Sequence, residues 1–393
     1  MSGALLIAGG DVLTPFETIV DGAVLVCDGR IERAGPRSEL ARARVDTQID
    51  VQGRLILPGF VDLQVNGGGG AFLTEDGSVE SVWRMAAAHA RFGTTAMLPT
   101  IVTSPEATLV RALEAVAVAT EASNGGARVL GAHLEGPFIS VVRKGAHDER
   151  SIVAPDIELL RRLIDTSRGT LRVITVAPEL PGALDLIAAA RGAGVVVSIG
   201  HTDATYEEAL RGIEAGASLA THVFNAMRPL AQRDPGVIGA LLEHDDVIVD
   251  AIADGVHVHP AVLSLVARAK GAGGLALVTD AMPAAGGSTE PARLYGREIV
   301  VRDGACYTPE GVLAGSALTM NLAVRNMRRL AGVPLLDAVR MATATPARVL
   351  GMEHEIGVLA PGARADIVVC DDDLNVWKTL VGGRLAYDAA SSM

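Results

Sequence analysis

Histidine and carboxylate side chains recur where short apolar segments of this sequence end, and Glu135, His201, His222 and Asp280 are the most informative of them. One carboxylate and two imidazoles form a ligand set that holds a divalent, zinc-like ion and leaves one position open for water. Water in such a position loses a proton near neutral pH, and Asp280 could accept that proton. These residue types therefore indicate metal-assisted hydrolysis.

Each of these residues also has a structural interpretation. A single histidine at a strand end can be a hydrogen-bonded core residue, and a carboxylate such as Asp280 can cap a helix. The residues after Asp280, Ala281-Met282-Pro283, do not begin an obvious helix. Because several polar side chains stand at the ends of short apolar segments, the functional interpretation is favoured over the structural one.

Eight short apolar segments alternate with helical patterns through the middle of the chain. The strand candidates are residues 60–65, 94–98, 129–134, 171–176, 194–199, 219–223, 247–253 and 275–279. Apolar residues at helical spacing predict helices over residues 79–91, 107–121, 204–215 and 260–270. This rhythm is typical of βαβ units and predicts an α/β protein with a closed (β/α)₈ barrel of the TIM type over residues 59–352.

In such a barrel, the loops at the carboxyl ends of the strands form the active site. The polar residues at the predicted strand ends are Gln64 and Asn66 (strand one), His133 and Glu135 (three), His201 (five), His222 and Asn225 (six), Asp254 and His257 (seven) and Asp280 (eight). The barrel would therefore bring these side chains to one face.

The two ends of the chain share a different pattern, in which short β-like pieces are separated by turns such as Asp28-Gly29 and Pro361-Gly362. We expect residues 1–58 and 353–393 to form one small β-sandwich domain. The apolar run at residues 4–8 is interpreted as a strand of this domain and not as a signal peptide.

Composition excludes several classes of function. The 393 residues carry a net charge of −12 with no basic stripe, which argues against nucleic-acid or anionic-membrane binding. The three cysteines are far apart, so we expect free thiols and neither a disulfide framework nor a cysteine zinc site. No apolar run approaches the ~18 residues of a membrane span, and a cytoplasmic protein is expected.

Specific motifs add a family resemblance. The segments HLEGPF at residues 133–138 and KGAH at residues 144–147 resemble the N-acetylglucosamine-6-phosphate deacetylases of the amidohydrolase superfamily. Further similar segments, in the order found in that family, are residues 57–67, 200–202, 221–227, 253–257, 278–281 and 313–316.

The resemblance implies deacetylation of N-acetyl-D-glucosamine 6-phosphate, in amino-sugar catabolism and cell-wall sugar recycling, by a homodimer. It implies metal binding by Glu135, His201 and His222, with Asp280 as general base and His147 polarising the acetyl carbonyl. The implied substrate-binding residues are Ala146, His147, Asn225, Ala226, Arg233, Asp254, Gly255, Val256, His257, Leu313, Ala314 and Gly315.

The first strand departs from the superfamily pattern, in which His-x-His commonly binds a second metal. Gln64 and Asn66 stand at those positions, and amides are poor ligands for zinc. The fourth strand continues as residues 176–179 without a lysine that could bridge two metals. We therefore expect one divalent ion per subunit, with Zn²⁺ as the expected ion.

Basic and glycine-rich segments leave alternatives open. Arg233 is the strongest phosphate candidate because a guanidinium forms paired hydrogen bonds to phosphate, although it could be a solvated loop residue. For Arg143 and Lys144 the solvated loop is preferred, and Gly67–Gly70 is explained by a tight turn at the barrel mouth.

Other functions fit the same residues. A deacetylase of N-acetylgalactosamine 6-phosphate or a cyclic amidase would use the same chemistry, and the residues do not reveal epimer preference. A non-catalytic barrel is disfavoured because all three predicted ligands and the predicted base are present.

Overall fold

The computed structural model of the chain describes residues 3–14, 16–122, 125–287 and 292–391. The amino-terminal part of the chain contributes strands to a sheet that strands near the carboxyl terminus complete. These elements are β1 (Leu5–Leu13), β2 (Thr18–Cys27), β3 (Arg30–Pro36), α1 (Arg37–Leu40), β4 (Thr47–Asp50) and β5 (Leu55–Pro58). The turn between β2 and β3 has φ of 52° at Asp28 and 74° at Gly29, the positive values that a two-residue hairpin turn requires.

The central strands form the predicted parallel barrel. They are β6 (Phe60–Val65), a small hairpin of β7 (Gly67–Gly68) and β8 (Ala71–Phe72), then β9 (Thr94–Val102), β10 (Arg128–Val129), β11 (Ala132–Glu135), β12 (Leu171–Val176), β13 (Val196–Ile199), β14 (Leu219–Ala220), β15 (Ile248–Ile252) and β16 (Leu275–Val278). The backbone N–H of Asp280 donates to the carbonyl oxygen of Gln64 at 2.9 Å, which joins the last strand to the first. This confirms the barrel expected from the sequence.

Helices cover the outside of the barrel. They are α2 (Leu73–Asp76), α3 (Val79–Ala90), α4 (Glu106–Glu121), α5 (Ile157–Thr166), α6 (Ala183–Gly192), α7 (Tyr206–Ala215), α8 (Gly236–Glu243) and α9 (Pro260–Gly274). A reciprocal capping box between Thr205 and Glu208 begins α7. The predicted helices are confirmed with boundaries that differ by a few residues.

Some strands differ in length from the prediction. The third strand is broken into β10 and β11, and the sixth ends at Ala220 where residue 223 was predicted. The sixth strand stops early because the chain turns sharply at His222, whose φ is 33°. This turn is where a site residue stands.

A four-stranded antiparallel sheet after β16 was not predicted. It consists of β17 (Ala292–Leu294), β18 (Arg297–Arg302), β19 (Ala305–Tyr307) and β20 (Leu313–Ser316). Leu294, Ile299 and Cys306 pack with Met282 and Val102 in a separate buried cluster, so the sheet is anchored to the barrel mouth.

The chain continues with α10 (Met320–Ala331), α11 (Leu335–Ala342) and α12 (Ala344–Val349), then β21 (Ile367–Cys370), β22 (Val376–Val381) and β23 (Arg384–Asp388). The last three strands join the first five in one sheet, through the antiparallel pairing of β21 with β5. Strands from both chain ends thus form the small β domain.

We propose domain boundaries at residues 58/59 and 352/353. The chain passes from the sheet of the small domain into the barrel at the first boundary and leaves the last barrel helix just before the second. Residues 1, 2, 15, 392 and 393 of the proposed small domain lie outside the described residues. Cys27, Cys306 and Cys370 are all free thiols. Among the described helices, none is long and apolar enough to cross a membrane.

The hydroxyl of Tyr295 fastens the inserted sheet by donating to the carbonyl oxygen of Thr103 at 2.7 Å. Replacing Tyr295 with Phe should leave that carbonyl unpaired and cost about 1–3 kcal/mol, which would lower the thermal midpoint by a few degrees. Calorimetry measures this. Tyr307→Phe is the matched control, since the Tyr307 hydroxyl has no hydrogen bond in the described part of the chain. Equal midpoints for the two variants would contradict the anchoring role.

Candidate active site

A cavity of about 210 Å³ opens at the carboxyl ends of the barrel strands. Glu135, at the end of β11, lies on its floor with His201 and His222, which follow β13 and β14. The inserted sheet forms another wall through Leu294 and Tyr295. The cavity is therefore built by barrel and insertion together.

Three atoms converge on this floor. The Nε2 atoms of His201 and His222 lie 3.1 and 3.0 Å from Oε1 of Glu135 and 3.1 Å from each other. All three side chains are buried. They come from different strands, so only the closed barrel can bring them together.

The hydrogen bond on the other side of His201 decides what its Nε2 presents. Nδ1 of His201 lies 2.9 Å from the carbonyl oxygen of Arg143, which can only accept, so Nδ1 carries the proton. In the neutral imidazole, Nε2 then presents a lone pair towards Glu135 and His222. The lone pairs of His201 and Glu135 repel at this distance unless positive charge lies beside them, and carboxylate and imidazole atoms are among the ligands that bind zinc. The donor set fits a divalent ion.

The electrostatics lead to the same conclusion. Burial lowers the pKa of the His222 imidazole, but the hydrogen bond and negative charge of Glu135, with Asp280 and Asp250, outweigh burial and raise it to about 9. Burial and the charge of Glu135 raise the pKa of Asp280 to about 6. The buried carboxylates thus favour a positive charge in this space.

The backbone is strained where these side chains leave the strands. His201, His222 and Asp280 have φ of 48°, 33° and 49°, in the left-handed region that residues other than glycine rarely adopt. Such strain persists where surrounding structure enforces it, and it clusters at functional sites. The left-handed backbone conformation directs these three side chains, from separate strands, towards one point.

The amides of the first strand face the same point. Nε2 of Gln64 donates to Oε1 of Glu135 at 2.9 Å and to Oδ1 of Asp280 at 3.2 Å, and Nδ2 of Asn66 donates to Oδ1 of Asp280 at 2.6 Å. They orient the two carboxylates by hydrogen bonds. Where the wider superfamily has His-x-His, this chain has hydrogen-bond donors.

His147 stands beside this group. Its Nε2 lies 3.8 Å from Oε2 of Glu135, and its ring centroid is 4.4 Å from that of His201. Burial and the neighbouring His201 lower the pKa of His147 to about 3, so the ring is neutral. His147 could also be grouped with Glu135 and His201, with ligand atoms all within 4.8 Å of one another. The shorter distances to His222 favour His222 as the third ligand.

Most predicted site residues line the cavity. These are Glu135, Ala146, His147, His201, His222, Asn225, Ala226, His257, Asp280, Leu313, Ala314 and Gly315. His257 is held by Asp254, whose Oδ2 accepts from Nδ1 at 2.6 Å. Burial raises the pKa of Asp254, but its hydrogen bond from His257 prevails and lowers it. Nε2 of His257 is thereby left for a ligand.

Four predicted residues lie outside the cavity lining. Asp254, Gly255 and Val256 stand behind His257, and the backbone N–H of Val256 donates to Asp254 at 2.8 Å. Arg233 is exposed in a loop closed by mutual backbone hydrogen bonds of Ala231 and Asp234. Its guanidinium forms no ion pair with the described residues.

Sequence reasoning missed an apolar part of the cavity. The residues concerned are Val102, Ile252, Met282, Leu294, Tyr295 and Val312. Turn signals at Tyr295-Gly296 and Asp303-Gly304 could have revealed the hairpins that carry some of them. Arg143 was interpreted as a solvated loop residue. Instead, its guanidinium pairs with Asp203 at 2.7 Å and its carbonyl oxygen orients His201.

Comparison with known proteins identifies the family. The amidohydrolase family matches residues 55–386, which cover most of the chain and all of the barrel. The chain belongs to the amidohydrolase family. Members of this family depend on metal ions, and the residues on the cavity floor could hold one.

Its relatives in the family include deacetylases of both amino-sugar epimers. The N-acetylglucosamine-6-phosphate deacetylase of Vibrio furnissii is 39% identical over 337 residues, which are 86% of this chain and 84% of that protein. The N-acetylgalactosamine-6-phosphate deacetylase of Escherichia coli O157:H7 is 39% identical over 335 residues, 84% of this chain and 88% of that protein.

A solved structure supports the same placement. A variant of the Mycobacterium smegmatis N-acetyl-D-glucosamine-6-phosphate deacetylase, in complex with N-acetyl-D-glucosamine-6-phosphate, matches with a TM-score of 0.91 at 36% identity. The match covers 98% of this chain and 99% of that chain.

If Glu135 is a ligand, its charge is essential for holding the ion. Glu135→Gln should keep the fold but lose most of the divalent metal found in the wild-type protein, because a neutral amide is a poor ligand. Elemental analysis of dialysed protein measures this. The matched control is Glu149→Gln, at an exposed position outside the cavity lining, which should keep its metal. Full metal retention by Glu135→Gln would exclude the assignment.

Proposed function

We propose that this amidohydrolase removes the acetyl group of N-acetyl-D-glucosamine 6-phosphate, releasing D-glucosamine 6-phosphate and acetate. The observation that carries the proposal is the convergence of Glu135, His201 and His222 beside the buried carboxylate of Asp280. The names of the relatives support the amino-sugar phosphate as substrate. The activity belongs to amino-sugar catabolism and cell-wall sugar recycling.

We further propose that Glu135, His201 and His222 hold one divalent ion per subunit, with Zn²⁺ as the expected ion. Such an ion supplies a Lewis acid that makes an attacking water more acidic and polarises the amide carbonyl. The amides of Gln64 and Asn66 support the single ion, because both donate to carboxylates.

Asp280 acts as the proton shuttle. Its raised pKa of about 6 leaves it ionised at neutral pH while giving it more proton affinity than an ordinary aspartate. It takes a proton from the attacking water and later gives that proton to the departing amine. Hydrogen bonds from Gln64 and Asn66 hold its Oδ1 in place through both steps.

His147 stabilises the negative charge that develops on the acetyl oxygen. The neutral imidazole donates one hydrogen bond and is buried, so the bond forms without competition from bulk water. Gly145 and Ala146, which precede His147 in the chain, also line the cavity.

The sugar phosphate occupies the rest of the cavity. Asn225, Ala226, His257 and the segment Leu313, Ala314 and Gly315 line it, and residues 254–256 position His257. We propose Arg233 as a further phosphate contact because its guanidinium is exposed and unpaired among the described residues.

A homodimer is proposed from the family resemblance, and a cytoplasmic location from the charge of a substrate that does not cross membranes unaided.

The alternative is a deacetylase of N-acetyl-D-galactosamine 6-phosphate, which the similarity to the Escherichia coli protein keeps open. Acetate release from both phosphorylated sugars tests the proposal. We expect a higher kcat/KM with the glucosamine substrate. A higher value with the galactosamine substrate would favour the alternative, and no acetate from either would reject deacetylation of these sugars.

Replacing Arg233 with Ala tests the phosphate contact. Removal of a guanidinium that binds the phosphate should lower kcat/KM for the phosphorylated sugar by about tenfold or more. Turnover of unphosphorylated N-acetylglucosamine should change little. Arg268→Ala, on the exposed side of α9, is the control for loss of a surface charge. Equal losses on both substrates would show that Arg233 does not contact the phosphate.

Replacing Asp280 with Asn tests the shuttle, since the amide has nearly the same size but takes no proton. Metal content and substrate binding should remain, while kcat falls by on the order of 10² to 10⁴. Stopped-assay acetate release gives kcat. Asp245→Asn, in the loop before β15 at the opposite end of the barrel, is the control. Near-normal turnover by a fully metallated Asp280→Asn enzyme would rule out this role.

A further inference from the structure

A second cleft, of about 400 Å³, lies where the small β domain meets the amino-terminal end of the barrel. Arg128 in β10 lines it, whereas Glu135 lies seven residues further along the same path through the barrel, roughly 20 Å in extended chain. The cleft is therefore separate from the cavity that holds the proposed catalytic groups.

Four arginines line this cleft in a chain whose net charge is −12. They are Arg30, Arg128, Arg364 and Arg384. They come from the barrel and from strands at both ends of the chain, so the fold collects them. Guanidinium groups concentrated in one cleft create a local positive field that attracts anions.

The partners of these arginines are incomplete. Arg128 pairs with Asp366 at 3.3 Å, and Nη1 of Arg30 donates to the carbonyl oxygen of Gly362 at 2.6 Å. The side chains of Arg364 and Arg384 form no ion pair or hydrogen bond with the described residues, and Nε of Arg364 is buried without an acceptor. A buried unpaired donor is costly, so an acceptor from a ligand would be favourable.

The arginines also lie close to one another. Arg30 and Arg364 stand opposite each other in an antiparallel bridge, an arrangement that like charges destabilise. The guanidinium groups of Arg364 and Arg128 both approach Gly382. Their Nη2 atoms lie 3.5 and 3.9 Å from the position that a Cβ atom would take on this glycine. Burial lowers the pKa of Arg128; the charge of Asp366 opposes this shift, and the charge of Arg364 adds to it. An anion between these groups would relieve the repulsion.

Carboxylates near the cleft neutralise it only in part. Asp28 and Glu121 line the cleft but form no ion pair with the described residues. Asp366 is within ion-pair distance of Arg128 only, and its Oδ1 also accepts from the backbone N–H of Gly382 at 2.7 Å. Arg364 feels the charge of Asp366 without pairing with it, so the guanidinium groups of Arg364 and Arg384 keep hydrogen-bond donors for a ligand.

We propose that this cleft binds a small phosphorylated molecule through Arg364 and Arg384, with Arg30 and Arg128 completing the positive field. Guanidinium groups match the paired oxygens of a phosphate, and a cleft of this volume suits one small molecule. Trp83 forms part of the wall and gives the cleft an aromatic surface.

Trp83 also makes the test direct, because the chain contains only two tryptophans, Trp83 and Trp377. In a Trp377→Phe background, the fluorescence of Trp83 reports on the cleft, and neither tryptophan lines the cavity at the other end of the barrel. The probe is inorganic phosphate, titrated at constant ionic strength with sodium chloride as the balancing salt.

We expect a saturable fluorescence change whose half-saturation concentration rises about tenfold or more in Arg364→Gln and in Arg384→Gln. Arg268→Gln is the matched control and should titrate like the parent. Arg384 is exposed, so its variant remains informative if Arg364→Gln does not fold. The proposal is overturned if phosphate causes no saturable change, or if both arginine variants titrate like the parent.

Discussion

The structure depends on one constraint, that Oε1 of Glu135 and the Nε2 atoms of His201 and His222 are held 3.0–3.1 Å apart. The lone pairs of the Glu135 carboxylate and of neutral His201 repel in that arrangement unless positive charge, as a proton on His222 or a cation, lies among them. The surroundings impose it through the carbonyl oxygen of Arg143, which orients His201, and the carboxylate of Asp250, which accepts from the backbone of His222. The fold thus favours the binding of positive charge between these three side chains.

Closure of the barrel also fixes the position of Asp280, the proposed general base. Thr279 donates to Asp62 across the junction of the last and first strands, and this buried pair fixes the position of the next residue, Asp280. Burial also explains why one site contains groups of different character. The same exclusion of water keeps His147 neutral and raises the proton affinity of Asp280. Both properties suit amide hydrolysis at neutral pH.

The sequence predicted what strand periodicity and strand-end chemistry determine: the barrel, the covering helices and the polar residues at the strand ends. It did not predict the inserted sheet of residues 292–316, whose antiparallel strands lie outside the alternation of strands and helices and are held by a buried cluster with Met282. It also missed the carbonyl oxygen of Arg143, since a backbone group carries no signal in a side-chain pattern. Arg233 was predicted from guanidinium chemistry together with the family resemblance, and neither of these determines its exposed place in a loop.

Reconstitution of the metal-free protein tests the central claim most directly. Zinc is added in steps to the chelator-treated enzyme, and acetate release from N-acetyl-D-glucosamine 6-phosphate is measured after each addition. If Glu135, His201 and His222 form one site on which hydrolysis depends, activity rises linearly and reaches its plateau at about one equivalent per chain. Full activity in the metal-free protein, or a plateau at about two equivalents, would contradict the account.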